Sequence, residues 1–446
     1  MAYSFDDICD TICRHPRLII AEDYELCIQR TQSKNAQFIN GNAVHEAIED
    51  SVWVSLRLLH RRQPGRSVVV GNTKQSLHSL VDSAFESARK SSPDPWFRFP
   101  LWRFSKQKNP LVMTFEPIQD SAPQWKSQYS DVAGWPDLFK EEYRWQQFHT
   151  QLVRKGERIQ PKHKSSTLRT HYSLLSHQDS DYFWVNESRS FSKLADQEDF
   201  KASTLAQKAK QLTGKGVKPQ NNSYKWLLSS QACSMLLGEM TDWFCADSIH
   251  SGRSPLGRVP KLPCFSSDLT LVDDGAYEGA AHSAPFDLEG VLTQKTTVIS
   301  SGRLESSLYD NYSATRENRL STGNFLRAPG APFPKISATN FFIQPSNRSA
   351  ESLLQDLGQG LGQGLLISTV EKVELLSENG CDCLVKAHGW IVSRGCLASP
   401  FVNLSFKINA LDLLGRVLAV GSDFVFYGAC GAPSILIDDL PLESIR

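Results

Sequence analysis

Two runs of alternation most constrain this fold: Tyr24, Leu26 and Ile28, interleaved with Glu25 and Cys27, then Val52, Val54, Leu56 and Leu58, interleaved with Trp53, Ser55 and Arg57. A period of two sends successive side chains to opposite faces of a strand, so each run predicts a half-buried strand. The cover for the apolar face is predicted nearby. After the strand signal at 68–70, Asn72 or Thr73 supplies a helix N-cap, and Leu77, Leu80, Val81, Ala84, Phe85 and Ala88 then recur on one helical face. Ser91, Ser92 and Pro93 stop that helix. Behind Ser4, the spacing of Phe5, Ile8, Cys9, Ile12 and Cys13 predicts an earlier amphipathic helix. The expected fold class is α+β, with N-terminal helices on an antiparallel sheet and a larger β-rich C-terminal domain.

The chain changes character over residues 93–136, where prolines alternate with Trp96, Phe97, Phe99, Trp102, Phe104, Trp125 and Trp135. Interleaved with Arg98 and Arg103, these aromatics read as anchors of a packed, irregular connection in preference to a base-stacking platform. Residues 213–223, polar, basic and broken by Gly and Pro, predict a second linker. A helix is expected from Trp226, with Cys233, Leu236, Leu237, Met240 and Phe244 as its stripe. Beyond residue 265, short apolar runs at 365–370, 401–408, 420–427 and 435–437 predict strands, interrupted by helices at 350–357 and 411–418. This divides the chain into an N-terminal α+β segment (1–95), a diverged middle segment (96–220) and a β-rich domain (221–446).

Charge excludes some function classes. Lys plus Arg equals Asp plus Glu at 48 each over 446 residues, so no net field favours polyanions or an anionic membrane. Nucleic-acid and membrane partners are therefore not expected. The start MAYSFDDICD is acidic where a signal peptide is basic, and no apolar stretch reaches the ~18 residues that span a bilayer, so a cytoplasmic location is expected. Ten cysteines without a CxxC pair read as reduced core residues. The repeat GQGLGQGL at 358–365 lacks the Lys-Ser/Thr of a phosphate loop.

Specific strings go further. SLRLLHRRQPGRSVVVGNT (55–73), the following helix and SSPDP resemble the first segment of the TldD/PmbA family of peptidase-modulator proteins. APFDLEGV (284–291) resembles the family's FDxEGV string, and SGRLESSLYDNYSATRENRLSTGN (301–324) resembles its Leu-x-Asp, Ala-x-Arg and STGN sequence. LAVGSDFVFYG (418–428) and APSILIDDL (432–440) look like its VGxD and its closing Pro-Ser-hydrophobic strand. Their shared order makes the match specific.

The resemblance implies a protein related to metallopeptidases, whose active subunit carries HExxxH on the helix before the DxEG string. Zinc chemistry needs both imidazoles on one metal, with the Glu beside the bound water. Here the corresponding helix reads Gly238-Glu239-Met240-Thr241-Asp242-Trp243, so Glu239 survives as a vestige and both histidines are gone. No two of the eleven histidines lie three to five residues apart, and His45-Glu46, with Asp50 where a second His belongs, reads as chance. The family's third ligand resembles Cys430 of Cys430-Gly431. The expectation is a PmbA-like subunit with no catalytic or metal-binding residue of its own, and zinc only in a TldD-like, HExxxH-bearing partner, a homodimer being the other assembly. Residues expected to touch peptide or partner are Asp287, Glu289, Gly290, Ser321, Thr322, Gly323, Asn324 and Cys430. Two alternatives stand beside this: a non-enzymatic modulator related to gyrase or toxins, and a hydrolase using Cys430 as nucleophile with His282 or His388 as base.

Overall fold

A computed structural model of the chain describes residues 3–102, 125–132, 138–157, 161–178, 180–192, 201–213, 216–220, 223–258, 265–328, 331–357, 362–376 and 380–444. Residues 103–124 of the aromatic connection and 358–361 of the glycine repeat lie outside the described residues.

The first helix, α1 (Phe5–Cys13), starts at a reciprocal cap: the Ser4 hydroxyl accepts from Asp7 N, and the Asp7 carboxylate accepts from Ser4 N. A short α2 (Pro16–Ile19) leads into three strands, β1 (Asp23–Ile39), β2 (Asn42–His60) and β3 (Gln63–Val70). Helix α3 (Lys74–Lys90) follows, capped by Thr73 and ending at Ser91. Strands β4 (Leu138–Arg154), β5 (Lys162–Gln178) and β6 (Asp181–Phe191) extend the same sheet from its other side. The result is one antiparallel sheet in the order β3-β2-β1-β4-β5-β6. Residues 138–191 thus share the sheet begun by residues 23–70, and α4 (Ala202–Gln211) packs its Ala202, Leu205 and Ala209 on Tyr172, Leu174, Phe183 and Val185.

The two faces of this sheet do different work. Leu26, Ile28, Val54, Leu56 and Leu58 pack against Leu77, Leu80, Val81, Ala84, Phe85 and Ala88 of α3, a burial that stabilises by roughly 1.5–3 kcal/mol per large side chain. The pleat then sends Glu25, Cys27, Trp53, Ser55 and Arg57 to the opposite face. There Cys27, Trp53 and Leu152 meet Phe286 and Leu288 of the C-terminal part.

That part begins with β7 (Ser223–Leu228), α5 (Ser230–Met240), α6 (Ala246–His250), β8 (Leu271–Asp274), β9 (Lys295–Ser300) and β10 (Arg303–Leu304). It continues with α7 (Asn311–Arg316), β11 (Phe325–Leu326), β12 (Lys335–Ile336), β13 (Phe341–Ile343), α8 (Ala350–Asp356) and β14 (Gln363–Leu375). The last elements are β15 (Asp382–Ser393), β16 (Cys396–Asn409), α9 (Ala410–Gly415), β17 (Val417–Val420), β18 (Val425–Tyr427), β19 (Cys430–Ala432), β20 (Ile435–Pro441) and β21 (Glu443–Ser444). Seven strands form a sheet in the order β17-β20-β7-β14-β15-β16-β21, and six form another in the order β10-β9-β8-β13-β19-β18. Helix α5 lies between them, contacting β14 on one side and β19 on the other. Its Cys233, Leu236, Leu237 and Met240 join the largest core with Trp226, Phe341, Cys383 and Cys430.

The architecture is the expected α+β arrangement, with local corrections. Helix α5 starts at Ser230, behind the Ser229 cap, and Trp226 belongs to β7 between β20 and β14. A short continuous apolar run has no period that separates a buried strand from a helix, which is why the sequence misplaces this boundary. Likewise the helix expected over 411–418 ends at Gly415, and Val417 starts a strand paired with β20. Phe99 and Trp102, at the start of the aromatic connection, do anchor it: Phe99 is buried, and the Trp102 indole donates to Glu289 O (2.8 Å). Among the described residues no helix is long and apolar enough to cross a membrane, and the nine described cysteines are free thiols.

Gly65 on β3 shows how closely α3 sits on the sheet. A Cβ there would overlap the Ala84 carbonyl and come within 2.8 Å of the Ala88 side chain. Gly65→Ala should therefore lower stability by about 1–3 kcal/mol, the usual scale for overpacking, read as a lower denaturant midpoint at unchanged slope.

Candidate functional site

The end of α5 is where the resemblance points. At its C-terminal turn Gly238 faces β19, and a Cβ on it would lie 3.9 Å from Cys430 Sγ, an ordinary van der Waals contact. The next residue, Glu239, is exposed, although partial desolvation by its neighbours raises its carboxyl above the usual range. Trp243, in the turn after α5, is packed in the core. The fold therefore brings Glu239 and Cys430, nearly 200 residues apart in sequence, to one place. Burial pushes the Cys430 thiol up to about 12, with the charges of Asp273 and Glu239 acting in the same direction. Burial pushes Cys383, on β15, up to about 11, and Glu239 contributes there too.

Asp273 links this place to the STGN loop. Its carboxylate accepts from Thr339 N and Oγ1 (both 2.8 Å) and from Asn324 Nδ2 (2.7 Å). Asn324 in turn accepts from the Thr322 hydroxyl (2.6 Å), which itself accepts from Tyr309 N. Ser321 Oγ donates to Tyr309 O and accepts from Gly323 N. Gly323 is left-handed at φ +76°, and a Cβ there would come within 2.7 Å of Leu292 O. Burial still dominates at Asp273 and pushes its carboxyl up to about 6.

The FDLEG string builds a turn and an ion cluster. Asp287 Oδ1 accepts from Glu289 N and Val291 N, and Oδ2 accepts from Phe325 N, so this buried carboxylate closes the turn. Gly290 completes it at φ +73°, packed so closely on the Trp102 indole that a Cβ would overlap it. The turn points Glu289 at the N-terminal sheet. One Glu289 oxygen accepts from Arg57 Nη1 (2.6 Å) and the other from Asn311 N (2.7 Å), while Arg57 Nη2 reaches Glu25 (2.6 Å). Burial keeps both carboxyls above their ordinary range although each faces the guanidinium, because two acids share one cation.

All eight residues expected to touch peptide or partner thus occupy internal positions: Asp287, Glu289, Thr322, Asn324 and Cys430 are buried, and Ser321, Gly290 and Gly323 shape the turns around them. Sequence reasoning missed Glu25, Arg57, Asp273 and Thr339. Arg57 was legible only as part of a basic cluster, whereas Asp273, an acid inside the apolar run LTLVDD, carried an available signal.

The donors at the end of α5 do not fit a zinc ion. Such a site takes three protein ligands at least, with imidazoles and deprotonated thiols preferred. Here a buried thiol pushed up to about 12 and an exposed carboxyl stand where imidazoles are needed, and no group of three His, Cys, Asp or Glu among the described residues is arranged to hold a metal. Nor does the nucleophile alternative gain support, since the charged groups reaching Cys430 are both acids. His282 is an exposed residue, and His388 Nδ1 accepts from Asn403 N beside Phe183.

The profile of the PmbA/TldA metallopeptidase C-terminal domain matches residues 221–444. An uncharacterised protein of Methanocaldococcus jannaschii is 32% identical over 166 residues, covering 37% of this chain and 39% of that protein. A metalloprotease of the same organism is 30% identical over 167 residues, or 37% and 36%, and a PmbA homologue of Buchnera aphidicola is 26% identical over 187, or 41% and 37%. The matches span under two fifths of these relatives' own length. The fold agrees over nearly the whole chain with two solved structures. A Thermotoga maritima protein named as a candidate modulator of a DNA gyrase superposes with a TM-score of 0.79 at 17% identity, covering 98% of this chain and 100% of that one. TldE from Thermococcus kodakarensis superposes with a TM-score of 0.77 at 16% identity, covering 96% and 98%.

Arg57→Ala should cost about 3–5 kcal/mol, because it leaves Glu25 and Glu289 buried without their cation. Their folded-state carboxyls would rise further, and a raised carboxyl contributes stability that is lost as pH climbs through its folded value. The deficit should be smallest near pH 4 and grow toward pH 8 in denaturant titrations; a deficit flat across that range would contradict the assignment.

Proposed function

Because the chain belongs to the PmbA/TldD metallopeptidase family, we propose that it serves as the PmbA-like subunit of a peptidase acting on peptides or flexible protein segments. The catalytic metal then belongs to a partner that carries HExxxH. The observation behind this reading is the residue set at the end of α5: Gly238 stands where the first imidazole would be, and a Cβ on it would lie 3.9 Å from Cys430 Sγ. Trp243, packed in the core, stands where the second imidazole would be.

In such a pair the partner contributes the metal-bound water and its general base. This chain contributes walls and strand edges that hold an extended substrate by main-chain hydrogen bonds. Holding reactants in register can lower a barrier by several kcal/mol without any reacting side chain, so a subunit with no metal is still indispensable. Burial, with the charges of Asp273 and Glu239 acting in the same direction, keeps the Cys430 thiol protonated, which leaves it inert in a reducing, cytoplasmic setting. A non-enzymatic reading draws support from the candidate gyrase modulator among the similar folds. In that reading the chain binds a protein surface, because a chain of zero net charge offers no field for direct DNA contact.

The chain alone should cleave no peptide, whereas its mixture with an HExxxH-bearing relative should. Glu239→Gln should leave the mixture's rate within about twofold, since a carboxyl with no adjacent metal has no water to activate. Replacing the partner's motif Glu should abolish it. Chelator-sensitive cleavage by this chain alone, lost in Glu239→Gln, would overturn the proposal.

A further inference from the structure

Away from Cys430, a groove of about 450 Å³ runs between the β3–α3 edge of the N-terminal sheet and the C-terminal loops. Its volume falls within the roughly 300–1,000 Å³ typical of small-ligand sites. Its walls are aromatic: Phe97 from the N-terminal side, Tyr312, Phe325 and Phe333 from the C-terminal side. Four charged residues line it, and three are already satisfied. Arg57 is held by Glu25 and Glu289; Asp310 caps α7 through Ser313 N; Asp94 accepts from the Tyr312 hydroxyl (3.0 Å) and from Trp96 N. The fourth is Arg66. Its guanidinium lies 4.8 Å from the Phe333 ring centroid, and no carboxylate pairs with it among the described residues.

Seated over a ring face, a guanidinium keeps N–H groups that can take a carboxylate by two parallel hydrogen bonds. Aromatic walls beside those groups suit a flat apolar side chain, and the hydroxyl of Ser55 in the lining can receive a backbone N–H. We infer that this groove binds the C-terminal residue of a peptide, its carboxylate on Arg66 and its apolar or aromatic side chain between Phe325 and Phe333. The acids in the lining take neutral internal donors and Arg57 is held by two acids, so Arg66 is the one lining cation without a carboxylate partner among the described residues and is the group a ligand carboxylate would meet. The inference takes from the proposed function only that the ligand is a peptide. It concerns binding by the isolated chain, so it can fail while the paired peptidase stands, and the reverse.

The test is calorimetric titration of the full chain with the tripeptide Ala-Ala-Phe and with its C-terminal amide. The free acid should bind at least about tenfold more tightly, the scale of one charge-assisted contact. Arg66→Gln should erase that preference, and Phe333→Ala should weaken both ligands together. Arg66 is exposed, so its variant should melt with the wild type, and Arg61→Gln, outside the groove lining, should leave binding unchanged. Equal binding of acid and amide, no binding of either, or an acid preference that survives Arg66→Gln would each overturn the assignment.

Discussion

One guanidinium between two buried carboxylates ties the N-terminal sheet to the rest of the chain. Arg57 reaches Glu25 within its own sheet and Glu289 across the junction, each at 2.6 Å, from a side chain about 15% exposed. The arrangement follows from the pleat: the residues that alternate with Arg57 go into the α3 core, so Arg57 must face the other way. It equally depends on the Asp287 turn, which aims Glu289 at the sheet while spending its own oxygens on three backbone N–H groups. Burying three charges with one cation costs desolvation, and the neighbouring apolar cluster of Cys27, Trp53, Leu152, Phe286 and Leu288 offsets it. The same junction forms one wall of the aromatic groove.

From this junction the C-terminal loops are held in turn. The STGN loop ties Asn324 to Asp273, and Asp273 sets the negative surroundings of Cys430. Where the resemblance expects metal ligands, this chain has Gly238 near the sulfur, a buried thiol pushed up to about 12 and an exposed Glu239. The family strings therefore act here as structure: they close turns, satisfy buried donors and fix one domain on the other.

The sequence was most legible where a period and a cap agree. Ser4 and Thr73 start their helices, and the alternation of Tyr24 to Ile28 and of Val52 to Leu58 gives strands whose apolar side meets α3. The meeting of Glu239 and Cys430 was legible only through the order of the family strings, because no local pattern links positions so far apart. Trp226 to Leu228 and Val417 to Leu418 were misread as helix, since a short buried run carries no period and its strand character comes from neighbours distant in sequence. The long-range partners Arg57–Glu289 and Asp273–Asn324 were invisible for the same reason: a buried polar pair is defined by which segments meet, and the sequence lists its members 232 and 51 residues apart.

On the reading proposed here, the end of α5 holds no metal of its own. Elemental analysis of the purified full chain after dialysis against metal-free buffer tests it most directly. Zinc far below one ion per chain is the expected result, because a buried thiol pushed up to about 12 and a lone carboxyl give no chelate. About one zinc per chain, retained through dialysis, would contradict it.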